Sequence, residues 1–182
     1  KLQCRGEAEI ASRIDELTRL IKTDLKLTGA QITDDPDREV REITTSSEEA
    51  LRFYAEGRRL NRESDFVQSV ESFKKAVSLD PEFAMAYRAL YATYQNMGRF
   101  AEADECLKKA LEFAGRASER ERLSIQATAE TDIDKRIALL DRLSGLYPDD
   151  PWPRQFLGWN SFILEEWDKA LGHWEWHYRA DP

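Results

Sequence analysis

The chain has 182 residues, a formal net charge of -8, and 34% charged against 41% apolar side chains, with five Trp, eight Phe and six Tyr. That supply of core-forming residues excludes a disordered chain, and the acidic balance argues against a duplex-binding surface, because affinity for nucleic acid rests on neutralising phosphates with Lys and Arg. Eight Gly and six Pro are too few for the turn-dense pattern of a sandwich or barrel, so helices are favoured.

Residues 1–28 carry Ile10, Ile14, Leu17 and Ile21 at intervals of four, three and four, which places them in one stripe on a helix over about 7–27. Such a stripe needs cover. Either it packs against the helices further along the chain or belonged with a preceding domain, or it makes a short coiled-coil contact between two chains. Residues 29–46 are polar, with Asp34, Asp35 and Asp37 around Pro36, and are expected to be a linker. From 47 to 182 the pattern is helical, with helices expected near 47–62, 65–78, 81–97, 100–114, 118–130, 133–147, 151–163 and 167–180.

Three landmarks recur through these helices at one spacing. A large apolar residue after a short turn appears as Phe66, Phe100, Ile133 and Trp167, at intervals of 34, 33 and 34. Three residues on, at the expected point of close helix approach, stand Ser69, Ala103, Arg136 and Ala170, of which only Arg136 is large. Four further on, Phe73, Leu107, Leu140 and Trp174 extend the same helical face. Pro81, Pro148 and Pro182 close the first, third and fourth units, with Gly115 in that place in the second. The starts of the first helices are also legible. Ser46-Ser47-Glu48-Glu49 and Ser118-Glu119-Arg120-Glu121 fit the capping box, and Asp80-Pro81 and Asp150-Pro151 pair a capping Asp with a Pro at the first helical position.

This pattern resembles the tetratricopeptide repeat over residues 50–182. In units beginning at Ala50, Ala84, Ala117 and Pro151, the family's large fourth residue is matched by Phe53 and Tyr87. Its Leu-Gly pair is matched by Leu157-Gly158, and its Gly alone by Gly57. Leu90, Tyr94 and Gly98 match in the second unit, whereas the third is degenerate and lacks the aromatic and the Gly. The resemblance implies an all-α fold, a right-handed superhelical array of four helix-turn-helix repeats over 47–182. Residues 43–50, 80–87 and 118–122 also look like repeat segments of bacterial multidomain signalling proteins, where such arrays follow kinase, cyclase or winged-helix modules. No such module lies in this chain.

In that family the first helices line a concave face, and repeat arrays bind through such faces. The family's groove positions fall on Tyr54, Arg58, Asn61 and Arg62 in the first unit and on Arg88, Ala92, Gln95 and Asn96 in the second. They continue through Glu121, Ile125 and Thr128 to Trp152, Gln155, Trp159 and Phe162. The first end is polar and basic, the far end aromatic. An extended peptide with a carboxylate near Arg58, Arg62 and Arg88 and an apolar part near Trp152 and Trp159 would suit the gradient; the arginines could equally solvate an inner surface and the tryptophans pack on a neighbouring helix. The carboxylate clamp of chaperone-tail binders is matched only at Arg122, since Tyr54, Arg58, Ala89 and Ser118 stand at its other positions.

Other chemistry finds little footing. There is no GxSxG elbow, no P-loop and no GxGxxG, so no catalytic residue and no cofactor are expected. His173 and His177 lie one helical turn apart, a spacing that can hold a metal, but no third ligand is evident and no metal site is expected. Cys4 and Cys106 form no disulfide scaffold and leave the compartment, cytoplasmic or periplasmic, undecided. No apolar run approaches the roughly 20 residues of a membrane span. The start, Lys1-Leu2-Gln3-Cys4, and the apolar last helix, with Trp167, Trp174, Trp176 and His177, lead us to expect a longer natural bacterial protein, or association of two copies through the last hairpin or the helix at 1–28. The expected function is non-catalytic, a scaffold holding a protein or peptide partner, or alternatively the dimerisation and signal-coupling segment of a bacterial multidomain sensor.

Overall fold

The computed structural model describes residues 45–180, with side chains as far as Trp176. The helix expected at 1–28 and all but the last two residues of the linker expected at 29–46 lie outside the described residues, as does the His177 side chain. Eight α-helices lie among the described residues, in the order α1 Glu48–Arg62, α2 Phe66–Leu79, α3 Ala84–Asn96, α4 Phe100–Phe113, α5 Glu119–Ala129, α6 Ile133–Leu146, α7 Pro151–Ile163 and α8 Trp167–Ala180. Each odd-numbered helix packs on the even-numbered helix after it, and that helix on the next odd one. The described residues are an all-α helical repeat array.

In the first and fourth hairpins the crossing falls where one helix carries no side chain. Ser69, Ala103 and Ala170 are buried at the crossing, and Ser69 Oγ donates to the Gly57 carbonyl at 2.9 Å. Gly57 is required by sterics, since a Cβ there would meet the Phe73 ring at 2.6 Å; at Gly158 the same atom would meet Trp174 Cδ1 at 2.6 Å. Between hairpins the core runs on. Phe83, 1% exposed, sits with Ala50, Ala76 and Ala86 where the first unit meets the second, and Ala84, Ala110, Ala114, Ala117 and Ile125 form the next junction. The 3-10 turn Ala114–Arg116 occupies the connector that carries Gly115 instead of Pro, and an ion pair between Arg116 and Glu82 holds it to the preceding connector.

Three of the four hairpin turns are the same turn. In each, a residue at positive φ, Ser64 (62°), Gly98 (70°) or Glu165 (61°), reverses the chain. The next amide then reaches back to a carbonyl five residues earlier: Asp65 to Leu60 at 2.9 Å, Arg99 to Tyr94 at 2.9 Å and Glu166 to Ser161 at 2.8 Å. The third hairpin departs from this. Glu130 caps α5 in an extended conformation, and Arg136 donates to its carbonyl through Nε (2.9 Å) and Nη2 (2.6 Å) while Nη1 reaches Asn160 at 3.5 Å. The large residue at the close-approach position thus supplies the donors to the end of α5 that the backbone turn supplies elsewhere.

Two helix starts differ from expectation. Ser47, not Ser46, caps α1, accepting from Ala50 N at 3.1 Å, so Glu48 and Glu49 sit in the first turn and no capping-box glutamate is in register. Asp80 does not cap α3. Its carboxylate accepts from Glu82 N at 3.1 Å inside a turn, and the helix begins at Ala84 because Phe83 is drawn into the core at its N-cap. Asp150-Pro151 behaves as expected, with Asp150 accepting from Trp152 N at 3.0 Å and Pro151 opening α7; Ser118 and Glu121 form a complete capping box.

Non-glycine residues in the left-handed region cost stability that glycine relieves. Ser64→Gly and Glu165→Gly are each expected to stabilise the fold by about 0.5–1 kcal/mol in urea titrations, and Gly98→Ala to destabilise it by about 1 kcal/mol. Equal effects of all three changes would show that these turns are not held in that conformation.

Candidate functional site: a two-chambered groove on the first helices

The first helices of all four units contribute to one cavity of about 380 Å³. On its α1 side Tyr54 is packed against Phe73 (5.8 Å) and Phe83 (5.0 Å), and burial pushes its phenol above the ordinary value although Arg58 and Arg88 pull the other way. The Arg58 guanidinium lies 5.9 Å from the centre of the Tyr54 ring. On the α3 side Arg88 donates from Nε to Thr128 Oγ1 at 3.1 Å and lies 4.3 Å over the Trp152 ring. Arg88 therefore bridges the second unit to the fourth across α5. The crossing is open because α5 presents Ser124 and Thr128 there, and Thr128 Oγ1 itself donates back to the Ser124 carbonyl at 2.8 Å.

Charge in this cavity runs against the charge of the chain. Arg58, Arg62, Arg88 and Arg120 face Glu121 and Asp150. Arg120 is paired with Asp150, Nη2 at 2.6 Å and Nε at 2.9 Å from the same oxygen, while the other Asp150 oxygen caps α7. The Glu121 carboxylate accepts from Ser118 N and Oγ, both at 3.1 Å. Among the described residues Arg88 has no ion pair; burial lowers its pKa from the ordinary guanidinium value to about 10, with the neighbouring Arg58 and Arg120 adding to the fall and Tyr54 and Asp150 opposing it. It stays a cation at neutral pH, held by a hydroxyl and an aromatic face.

A second chamber of about 410 Å³ lies on the other side of Arg88 and Trp152, which line both, as do Ala89 and Ala92. Gln95 and Asn96 line it from α3, Thr128 and Arg136 from the middle unit and Phe156 from α7. Beyond it the aromatic residues continue. Trp152 and Phe156 are 4.6 Å apart, and Trp159, Phe162, Trp167 and Trp174 form a cluster with centroids 5.1–6.0 Å apart, although Trp159 is 52% and Trp167 57% exposed.

Of the residues singled out in the sequence, Tyr54, Arg58, Asn61, Arg62, Arg88 and Trp152 come together in the first chamber, and Gln95 and Asn96 join Arg88 and Trp152 in the second. Asn61 is also a strut, its Nδ2 donating to Thr93 Oγ1 at 2.7 Å. Gln155 and Trp159 line neither chamber and are exposed. Two placements are corrected. Trp152 lies beneath Arg88 rather than at the apolar far end, and Ile125 is fully buried in the junction core. Sequence reasoning missed Arg120, Asp150, Arg136 and Phe156 as lining residues; the unbroken spacing of Trp152, Phe156 and Trp159 on α7 was the available signal for the last. His173, half-buried, has its pKa lowered by burial and then by Arg154, and no group of three metal ligands occurs among the described residues. No described helix is long and apolar enough to cross a membrane.

Residues 92–115, the end of α3 with all of α4, match the tetratricopeptide repeat family model. That stretch of the second hairpin matches a tetratricopeptide repeat. Cellulose synthase 2 operon protein C of Komagataeibacter xylinus is 36% identical over 96 residues, 51% of this chain, and the chain spans 7% of that protein's length. Among solved structures, the first tetratricopeptide repeat of Spaghetti bound to an HSP90 peptide is 17% identical, covering 68% of this chain and 98% of that one, with a TM-score of 0.46. MamA from Desulfovibrio magneticus RS-1, residue 41 to the end, is 18% identical over 98% and 97% of the two chains, with a TM-score of 0.43.

Asp150 has two separable tasks in these repeats. Asp150→Asn keeps a capping oxygen but loses the ionic partner of Arg120, whereas Asp150→Ala loses both; the alanine variant is expected to unfold about 1 kcal/mol more easily than the asparagine variant. Denaturant midpoints measure the difference, and equal midpoints would remove the capping role.

Proposed function

We propose that this chain is a non-catalytic scaffold that holds an extended segment of a protein partner against its concave face. The observation that supports it best is the pair of adjoining chambers built by the first helices, open to solvent, sharing a floor of Ala89 and Ala92 and enclosed by long side chains from several units. Small residues on a floor between adaptable walls leave room for a backbone. The predicted set of Tyr54, Arg58, Asn61, Arg62, Arg88, Gln95, Asn96 and Trp152 would contact the segment along the chambers, and Gln155 and Trp159 would meet it where it leaves. Tetratricopeptide repeats serve as protein-interaction scaffolds, and no cofactor is called for.

The groove is tested without disturbing charge. Ala92 is exposed and lines both chambers, so Ala92→Trp fills them while leaving the core untouched. A partner recovered with the wild-type chain should be lost with Ala92→Trp at an unchanged circular dichroism spectrum. Capture that persists would place binding elsewhere.

A second role, dimerisation and signal coupling within a bacterial multidomain sensor, draws on a different observation. Trp159, Phe162, Ile163, Leu164, Trp167 and Leu171 on the last hairpin are all more than 40% exposed, a concentration of apolar surface that suits association. Sedimentation at micromolar concentration would then show a dimer that Trp167→Ala with Leu171→Asp dissociates; a monomer at all concentrations sinks this alternative.

A further inference from the structure

The chambers differ in chemistry and meet at one contact. The first holds Arg58, Arg62 and Arg88 with its two carboxylates already engaged, in a chain whose net charge is -8. An anion entering it meets cations that are not neutralised within the cavity, one of them fixed in place by Thr128 and Trp152. From that contact α7 carries an aromatic stripe outward. Trp152, Phe156, Trp159 and Phe162 stand at intervals of four, three and three along one face. Phe156 is 39%, Trp159 52% and Phe162 43% exposed, so the stripe is open to an occupant.

The helix also sets a length. Trp159 is seven positions along α7 from Trp152, about 10 Å along the axis at 1.5 Å per residue. An extended peptide covers that distance in about three residues. We propose that the groove reads an extended peptide in which a glutamate or aspartate docks on Arg88 where it meets Trp152, with Arg58 lining the same chamber, and a large apolar side chain about three residues away docks on Trp159. The Trp152 ring is the positioning element. It holds the Arg88 guanidinium, 4.3 Å over its face, at the boundary between the chambers, and so marks where the acidic part of the ligand ends and the apolar part begins. A guanidinium can stack on an aromatic face as a Lys ammonium cannot, so charge and stacking can be separated by substitution.

This proposal rests on the concave face being the binding face, and the test keeps the two apart. The probes are fluorescein-labelled, end-blocked decapeptides with a Glu pair followed at three residues by Leu, the same peptide with Gln for both Glu, and one with Ser for Leu. Anisotropy titrations should show the Gln and Ser peptides each bound at least tenfold more weakly than the parent. Arg88→Leu and Arg58→Gln should each weaken the parent peptide about tenfold without changing the affinity for the Gln peptide. Arg88→Lys should recover part of the affinity, and raising the salt from 50 to 300 mM should weaken the parent peptide most.

Equal binding of the Glu and Gln peptides, or no binding of the Glu peptide at millimolar concentration, overturns the proposal. If the peptides bind equally and Ala92→Trp still abolishes binding, the groove remains the binding face and only the acidic-then-apolar preference fails. Binding indifferent to Ala92→Trp overturns both. Thermal melts of each variant separate a lost contact from a lost fold, and Arg58→Gln, at the chamber edge, serves if Arg88→Leu melts early.

Discussion

The two ends of this array depend on how closely the two helices of a hairpin approach. At Gly57 the approach is so close that a single added carbon would overlap the Phe73 ring, and Ser69 bonds directly to the Gly57 carbonyl. Trp174 fills the equivalent space over Gly158. One helix gives up its side chain and the other supplies a large ring, so the pair is complementary in volume and the crossing is fixed. With the crossing fixed, the second helix of each unit presents its apolar face to the next hairpin, and the first helices are left to face the groove.

The middle of the array solves the same problem by other means. Residues Ala110, Ala114, Ala117 and Ile125 make a junction of small side chains around one Ile, and Arg136 ties the end of α5 to α7 through the Glu130 carbonyl and Asn160. Because α5 offers Ser124 and Thr128 to the chambers, nothing keeps Arg88 from reaching Trp152. The irregular third unit and the chambered groove are therefore one feature. A large residue at either position would fill the space that Arg88 crosses.

Much of this is legible in the sequence, for reasons that differ by element. The period of 33 or 34 and the residues at each crossing set the helix starts to within three residues, because close packing leaves few side chains that fit. Capping is legible where the cap competes with nothing, at Ser118 and Asp150, and misleading at Asp80, where Phe83 has more to gain from the core than α3 has from an Asp cap. The groove positions named on α1 and α3 line the two chambers, since their own helices set their direction. Those on α5 and α7 fare less well. Ile125 goes to the core beside Ala84 and Trp152 to the basic end under Arg88, contacts between residues far apart in the chain that no local pattern records.

The stack of Arg88 on Trp152 has a further bearing on how the chain folds. Repeat arrays behave as one-dimensional systems, each unit coupled only to its immediate neighbours, so that unfolding can begin at an end and advance unit by unit. Here the second unit also holds the fourth. A next-nearest coupling of that kind penalises states in which the last hairpin has opened while the second stays folded, and it spans the unit with the weakest repeat character. The array should therefore melt less like a zipper and more like a closed ring, with its least regular unit protected by the two on either side.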